Sequence, residues 1–145
     1  MNASTFYEAF TRNNTNKSPS LKCPRKVDQF TVTSGDTLGN GELTYPVGLL
    51  TIDEAAYAGG KSQTLNKAYY LYTGQIYWTM SPSFFNSGIV AATGWNVNSD
   101  GRLLLWTWVS NSSGVRPVIN LTSDILITGG NGVVSSPYTV ALETS

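Results

Sequence analysis

The chain has 145 residues and a mass of 15.7 kDa, the size of one domain, and its nine basic residues balance nine acidic ones. It has no histidine, which excludes Ser-His-Asp and Cys-His catalysis and imidazole metal sites. Its single cysteine, Cys23, excludes an intrachain disulfide and a thiolate zinc cluster, and the neutral balance lacks the basic excess that nucleic-acid backbones require.

In chain order, Thr5 with Glu8 forms a capping box ahead of Phe6, Tyr7, Ala9 and Phe10 and predicts a short helix. The run Asn13-Asn14-Thr15-Asn16 should break it, leaving residues 1–22 as an N-terminal helix or extension. Asp28–Thr33 alternates as a strand. Thr51 and Glu54 form a second box, with Asp53 near the positive end of the helix dipole and Gly59 able to take a left-handed C-cap. Ala68–Leu71 and Gln75–Met80 flank Tyr72-Thr73-Gly74 and predict a hairpin, and Trp95–Asn98 and Arg102–Val109 predict another around Ser99-Asp100-Gly101. Val115–Leu121 is β-branched, with Pro117 implying an edge, a strand end or a bulge. Asp124–Thr128 and Val133–Val140 flank the turn Gly129-Gly130-Asn131-Gly132. Helices and strands do not alternate, so the expectation is an α+β domain over 1–145: two short helices, a twisted antiparallel sheet and long loops.

Charge and polarity are uneven. Residues 1–67 hold 13 of the 18 charges, and 45 of the 145 residues are Ser, Thr or Asn, types suited to turns and strand edges. Together with Tyr, Trp and Gly they are also the vocabulary of antibody-like binding surfaces. No run of about 18 apolar residues exists to cross a bilayer.

Residues 102–110, Arg-Leu-Leu-Leu-Trp-Thr-Trp-Val-Ser, do not alternate. Simple strand periodicity puts Leu103, Leu105, Thr107 and Val109 on one face and Leu104, Trp106 and Trp108 on the other. Either both faces are buried, or an apolar stripe meets solvent as a binding surface or an aggregation hazard.

Several blocks resemble a known group. These are Tyr45-Pro46-Val47-Gly48-Leu49-Leu50-Thr51, Ala58-Gly59-Gly60, Tyr77-Trp78-Thr79-Met80-Ser81-Pro82, Val97-Asn98-Ser99-Asp100-Gly101, Gly114-Val115-Arg116-Pro117-Val118-Ile119-Asn120-Leu121 and Ile127-Thr128-Gly129-Gly130-Asn131-Gly132. Together they resemble C-type-lectin-like variable proteins of diversity-generating retroelements, found in gut bacteria and their phages, within the broader formylglycine-generating-enzyme-like fold group. The resemblance covers most of the chain, from about Cys23 to Val140.

It implies a C-type-lectin-like fold in which residues 81–121 correspond to the variable region. Leu103 and Val109, with Trp95 and Val97 before the turn, match fixed apolar anchors. Leu104, Leu105, Trp106, Thr107, Trp108, Ser110, Ser112 and Ser113 match diversified positions, with Phe84, Ile89, Val90 and Thr93 upstream. Trp106 and Trp108 depart from the Asn, Ser or Tyr that many members carry. The implied function is non-enzymatic recognition of a protein or surface glycan on another cell, from a bacterial cell surface or a phage virion, with no cofactor. An alternative is a structural module of a large bacterial surface protein with no ligand of its own.

Other candidate sites read as structure. Formylglycine-type chemistry needs a cysteine pair, which Cys23 alone does not provide. Asp100, Asp124 and Glu143 are too few and scattered for a calcium loop. Asp53 and Glu54 are accounted for by the helix N-terminus, and Arg116 by a scaffold role on carbonyls or a carboxylate. Lys22, Arg25 and Lys26 are followed by Asp28 and read as a solvated loop.

Overall fold

The computed structural model describes residues 9–22, 35, 37, 41–45, 47–88, 91–119, 121, 123–133 and 135–142. The expected strand Asp28–Thr33, Cys23 and most of the first expected helix lie outside the described residues.

The domain is α+β and mostly sheet. Among the described residues, eight strands run β1 (Val47–Leu49), β2 (Lys61–Ser62), β3 (Tyr77–Asn86), β4 (Ala91–Val97), β5 (Arg102–Trp108), β6 (Pro117–Ile119), β7 (Ile125–Gly129) and β8 (Thr139–Leu142). The α-helix α1 (Ile52–Tyr57) lies between β1 and β2, and Ala9 and Phe10 are also helical. The central sheet has the order β2-β5-β4-β3, antiparallel except for the short parallel pair β2–β5. β1 pairs with β6, and β7 with β8, as two separate ribbons.

Helix α1 forms where the sequence predicts it. The Thr51 side chain accepts from the Glu54 amide at 3.1 Å, and the Glu54 carboxylate accepts from the Thr51 amide at 2.7 Å. Its inner residues Ile52 and Ala55 pack with Ala9, Tyr69, Tyr77, Trp95, Val97, Leu103 and Leu105. This core lies on one face of β3–β4–β5 and fixes the sheet against the helix. The β4–β5 hairpin also forms as predicted: Asn98 N–H donates to the Arg102 carbonyl, and Gly101 takes φ +85° at the turn.

Three expectations are corrected. Helical backbone does not stop at Asn13; it continues as a π-helical turn over Thr11–Thr15. The Asn13 side chain supplies the reason, since it is buried and donates to the Ala9 carbonyl and to Asp53. Secondly, Ala68–Leu71 is not a strand. Tyr72 N–H closes a turn onto the Tyr69 carbonyl, and the buried Tyr69 ring is drawn into the core instead of alternating. Thirdly, the last hairpin has a longer loop than expected. A local bridge between Val133 and Ser136 occupies its middle, so β8 starts at Thr139. Pro117 opens β6, a position at which its missing N–H costs no ladder bond.

Candidate functional site

Strand β5 carries the residues that the sequence singles out, and its register decides where they point. Val97 pairs with Leu103 and Asn96 with Leu104, whereas Gly94 pairs with Thr107 and Thr93 with Trp108. Leu105 and Trp106 together therefore oppose Trp95, which is a β-bulge of one extra residue.

The bulge corrects the simple alternation. Leu104 and Thr107 share the face of Asn96, and the Asn96 amide donates to the Thr107 hydroxyl. Leu103, Leu105, Trp106 and Trp108 lie toward the Trp95 face. Trp106 thus shares a side with the helical core rather than standing opposite it. Its ring centroid lies 5.3 Å from Phe84 in an edge-to-face contact and 6.0 Å from Phe10, both within the range of favourable aromatic pairing.

Along this face the strand passes from buried to open. Leu103 is fully buried and Leu105 is 2% exposed, whereas Trp106 is 55% and Trp108 48% exposed. The buried stretch of the strand ends at Leu105, and the indoles project past it. Phe84 and Thr93 continue the row: Phe84 pairs with Thr93, which pairs with Trp108. The result is a half-open aromatic shelf of Phe84, Trp106 and Trp108, backed by Phe10, at one end of the central sheet.

The remaining candidates separate. Leu105 and Thr93 are buried, so the expectation that they face outward is corrected; their backbones position the shelf, but their side chains are not available at the surface. Val109, an expected apolar anchor, is 63% exposed because β5 has ended and the chain is turning. Leu104 and Thr107 are half-buried on the opposite face. Ser110 and Ser112 are exposed and Ser113 half-buried in the loop after β5. Ile89 and Val90 lie outside the described residues. Phe10 is the contributor that sequence reasoning missed; it lies far from β5 along the chain, and no local pattern marks it as the support for Trp106.

Arg116 takes the scaffold role. Its Nη1 donates to the Leu71 carbonyl at 2.9 Å, and its guanidinium sits 5.5 Å from the centre of the Tyr77 ring. The Tyr77 hydroxyl donates to the same carbonyl at 2.7 Å. Burial pushes the Tyr77 phenol up, and Arg116 pulls it partly back. A cleft of about 420 Å³ opens beside this group, lined by Tyr70, Tyr72, Thr73, Gly74, Arg116 and Gly132. At the β4–β5 turn, the Arg102 side chain bonds Asp100 at 2.8 Å and holds its carboxyl down at about 2. Asp100 is thereby a turn residue, tied to its own hairpin.

No family model, no curated protein and no solved structure matches the chain. Among the described residues, no helix is long and apolar enough to cross a membrane.

Proposed function

We propose that this domain is a non-enzymatic recognition module with a C-type-lectin-like fold, binding a protein or surface glycan of another cell through the aromatic shelf of Phe84, Trp106 and Trp108. The observation that carries this reading is the exposure of two tryptophans on a strand whose preceding residues are locked in the core. Large rigid side chains held open to water are costly unless a partner covers them. Tryptophan is also the commonest hot-spot residue of interfaces.

The shelf is pre-organised. Leu103 and Leu105 anchor the backbone of β5, the bulge aims both indoles to one side, and Phe10 and Phe84 restrain Trp106. Rigid presentation lowers the entropy cost of binding. Ser110 and Ser112 in the adjoining loop add exposed hydroxyls that can adapt to a partner, whereas the Ser113 hydroxyl is buried. The finer fold assignment is supported by the resemblance of the sequence blocks, together with two helical segments packed on an antiparallel sheet. A place on a bacterial surface or phage virion, and diversification by a retroelement, belong to the same reading.

The test is binding of labelled protein to a panel of gut-bacterial cells and to a glycan array. Double substitution Trp106→Ser and Trp108→Ser should reduce binding at least about a hundredfold, the scale expected for two anchor residues. The melting temperature should fall by no more than about 7 °C, the scale of a loss of about 1–2 kcal/mol in a domain of this size. Undiminished binding, or collapse of the fold, would overturn the reading.

A further inference from the structure

Arg116 differs from the other arginines of the described chain. Arg12 grips Asp53 through Nε and Nη2 at 2.9 and 2.7 Å, and Arg102 grips Asp100 through the same two nitrogens at 2.8 and 2.7 Å. Arg116 uses Nη1 on the Leu71 carbonyl and rests its guanidinium beside the Tyr77 ring, which fixes the group in place. Among the described residues, no carboxylate forms an ion pair with it. Its side chain is nevertheless half-buried, and charges drawn out of water are normally paired.

The same arginine lines the cleft of about 420 Å³, whose other walls are Tyr70, Tyr72, Thr73, Gly74 and Gly132. That volume lies in the range of small-ligand sites. The Tyr72 hydroxyl donates to the Ser99 carbonyl at 3.0 Å and tethers its ring, whereas Tyr70 is 72% exposed. The lining selects a ligand chemistry. The planar Nε–Nη2 edge of a guanidinium matches the two oxygens of a carboxylate. A phosphate dianion would meet one cation where it needs more, since no lysine lines the cleft. No aliphatic side chain lines it either, so an aliphatic acid would find no matching wall. Phenol rings instead offer an apolar face to the C–H face of a sugar ring, and the tyrosine and Thr73 hydroxyls can bond sugar hydroxyls.

We propose that this cleft binds an acidic sugar of the uronic- or sialic-acid class, with the Nε–Nη2 edge of Arg116 on the sugar carboxylate and the sugar ring against Tyr70. Arg116 then has two roles, one edge holding the scaffold at Leu71 and Tyr77 and the other holding the ligand. Because the scaffold already orders the guanidinium, little entropy is lost when the carboxylate arrives. The cleft shares no residue with the shelf of Phe84, Trp106 and Trp108, so the proposal stands apart from the reading of that shelf.

The test is calorimetric titration of the full chain with D-glucuronate and with N-acetylneuraminate, against D-glucose, acetate and a short neutral peptide with a free C-terminal carboxylate. At least one sugar acid should bind saturably with a dissociation constant of about 5 mM or below at low salt, a modest affinity suited to so small a ligand. Which of the two binds tighter separates the uronic from the sialic class. Glucose lacks the carboxylate and acetate lacks the ring, so each should bind at least about tenfold more weakly. Arg116→Lys keeps the charge but loses the planar fork and should weaken sugar-acid binding at least about tenfold. Tyr70→Ala removes a largely exposed ring, leaves the fold intact and should weaken it about fivefold, which keeps the test decisive if Arg116 variants unfold. The double substitution Trp106→Ser and Trp108→Ser should leave it within about twofold. No saturable binding of either sugar acid up to about 50 mM overturns the proposal. So does acetate or the peptide binding as tightly as the sugar acid, an affinity that Tyr70→Ala leaves unchanged, or one that the shelf variant abolishes.

Discussion

Arg12 and Asp53 form a two-pronged ion pair across the N-terminal seam of the domain, with Nε to Oδ1 at 2.9 Å and Nη2 to Oδ2 at 2.7 Å. The Asp53 side chain is almost fully buried and the Arg12 side chain largely so. Asp53 also accepts from the Asn13 amide and from the Ser20 backbone N–H. One carboxylate therefore ties the π-helical turn, the segment after it and α1 together. From sequence, Asp53 has only its helix-dipole role. The structure adds this second one, because residues about forty positions apart meet only after folding.

Removing that carboxylate leaves a largely buried guanidinium without its main partner. Asp53→Ala should destabilise the fold by about 3 kcal/mol, the lower range for breaking one side of a buried pair. Urea unfolding followed by tryptophan fluorescence measures it. A loss below about 1 kcal/mol would show that the network is a surface ornament.

Acid should unfold the protein through the same carboxylates. Burial raises the Asp53 carboxyl, but the bonds from Arg12, Ser20 and Asn13 more than offset this and leave it below the ordinary 3.8. Asp100 is held at about 2, first by its bond from Arg102. Both groups bind protons less readily when folded, so their contribution is complete above pH about 4 and is lost as pH falls through the folded values. Melting temperature should be flat from pH 7 to about 4.5 and fall steeply below pH 4. Asp53→Asn should flatten the acid limb.

The bulge in β5 makes a sharp contrast between neighbours. Leu105→Ala empties a core position and should cost about 2–4 kcal/mol. Trp106→Ser, one residue on, removes a half-exposed side chain and should cost about 1 kcal/mol, mostly its contacts with Phe10 and Phe84. Equal costs at both positions in thermal unfolding would mean that the bulge does not divide core from shelf.

Gly101 has two reasons to be glycine. Its φ is +85°, and a Cβ there would stand 1.7 Å from the Asn66 carbonyl oxygen. Gly74 has a similar φ of +76°, yet its nearest neighbour to such a Cβ is the Tyr72 hydroxyl at 3.7 Å. Gly74→Ala should cost about 1 kcal/mol for the left-handed backbone alone. Gly101→Ala should cost at least about 2 kcal/mol more, since backbone must move. Paired calorimetry of the two variants separates steric from conformational cost.

Much of the fold is legible where the signal is local. The Thr51–Glu54 box predicts α1 because its partners are three residues apart, and Ser99-Asp100-Gly101 predicts the β4–β5 turn because glycine's backbone freedom is a property of one residue. Tyr72-Thr73-Gly74 misleads for the same reason. It is a genuine bend, but whether strands flank a bend depends on what lies beside them, and here Tyr69 is drawn into the core instead.

The aromatic shelf is only half readable. Composition and periodicity mark residues 102–110 as too apolar for an ordinary two-faced strand but leave open two buried faces or an exposed stripe; the resemblance favours the exposed reading for Trp106 and Trp108, which are 55% and 48% exposed. The direction in which they point depends on the partner strand. Trp95 alone faces both Leu105 and Trp106, and that extra residue turns Trp106 to the helical side. Hydrophobic pattern, caps and turn glycines act over a few residues and are written in the chain. Register, the reach of Phe10 to Trp106 and the closure of Arg12 on Asp53 arise from competition among distant surfaces for the same buried space, and only the packed structure resolves it.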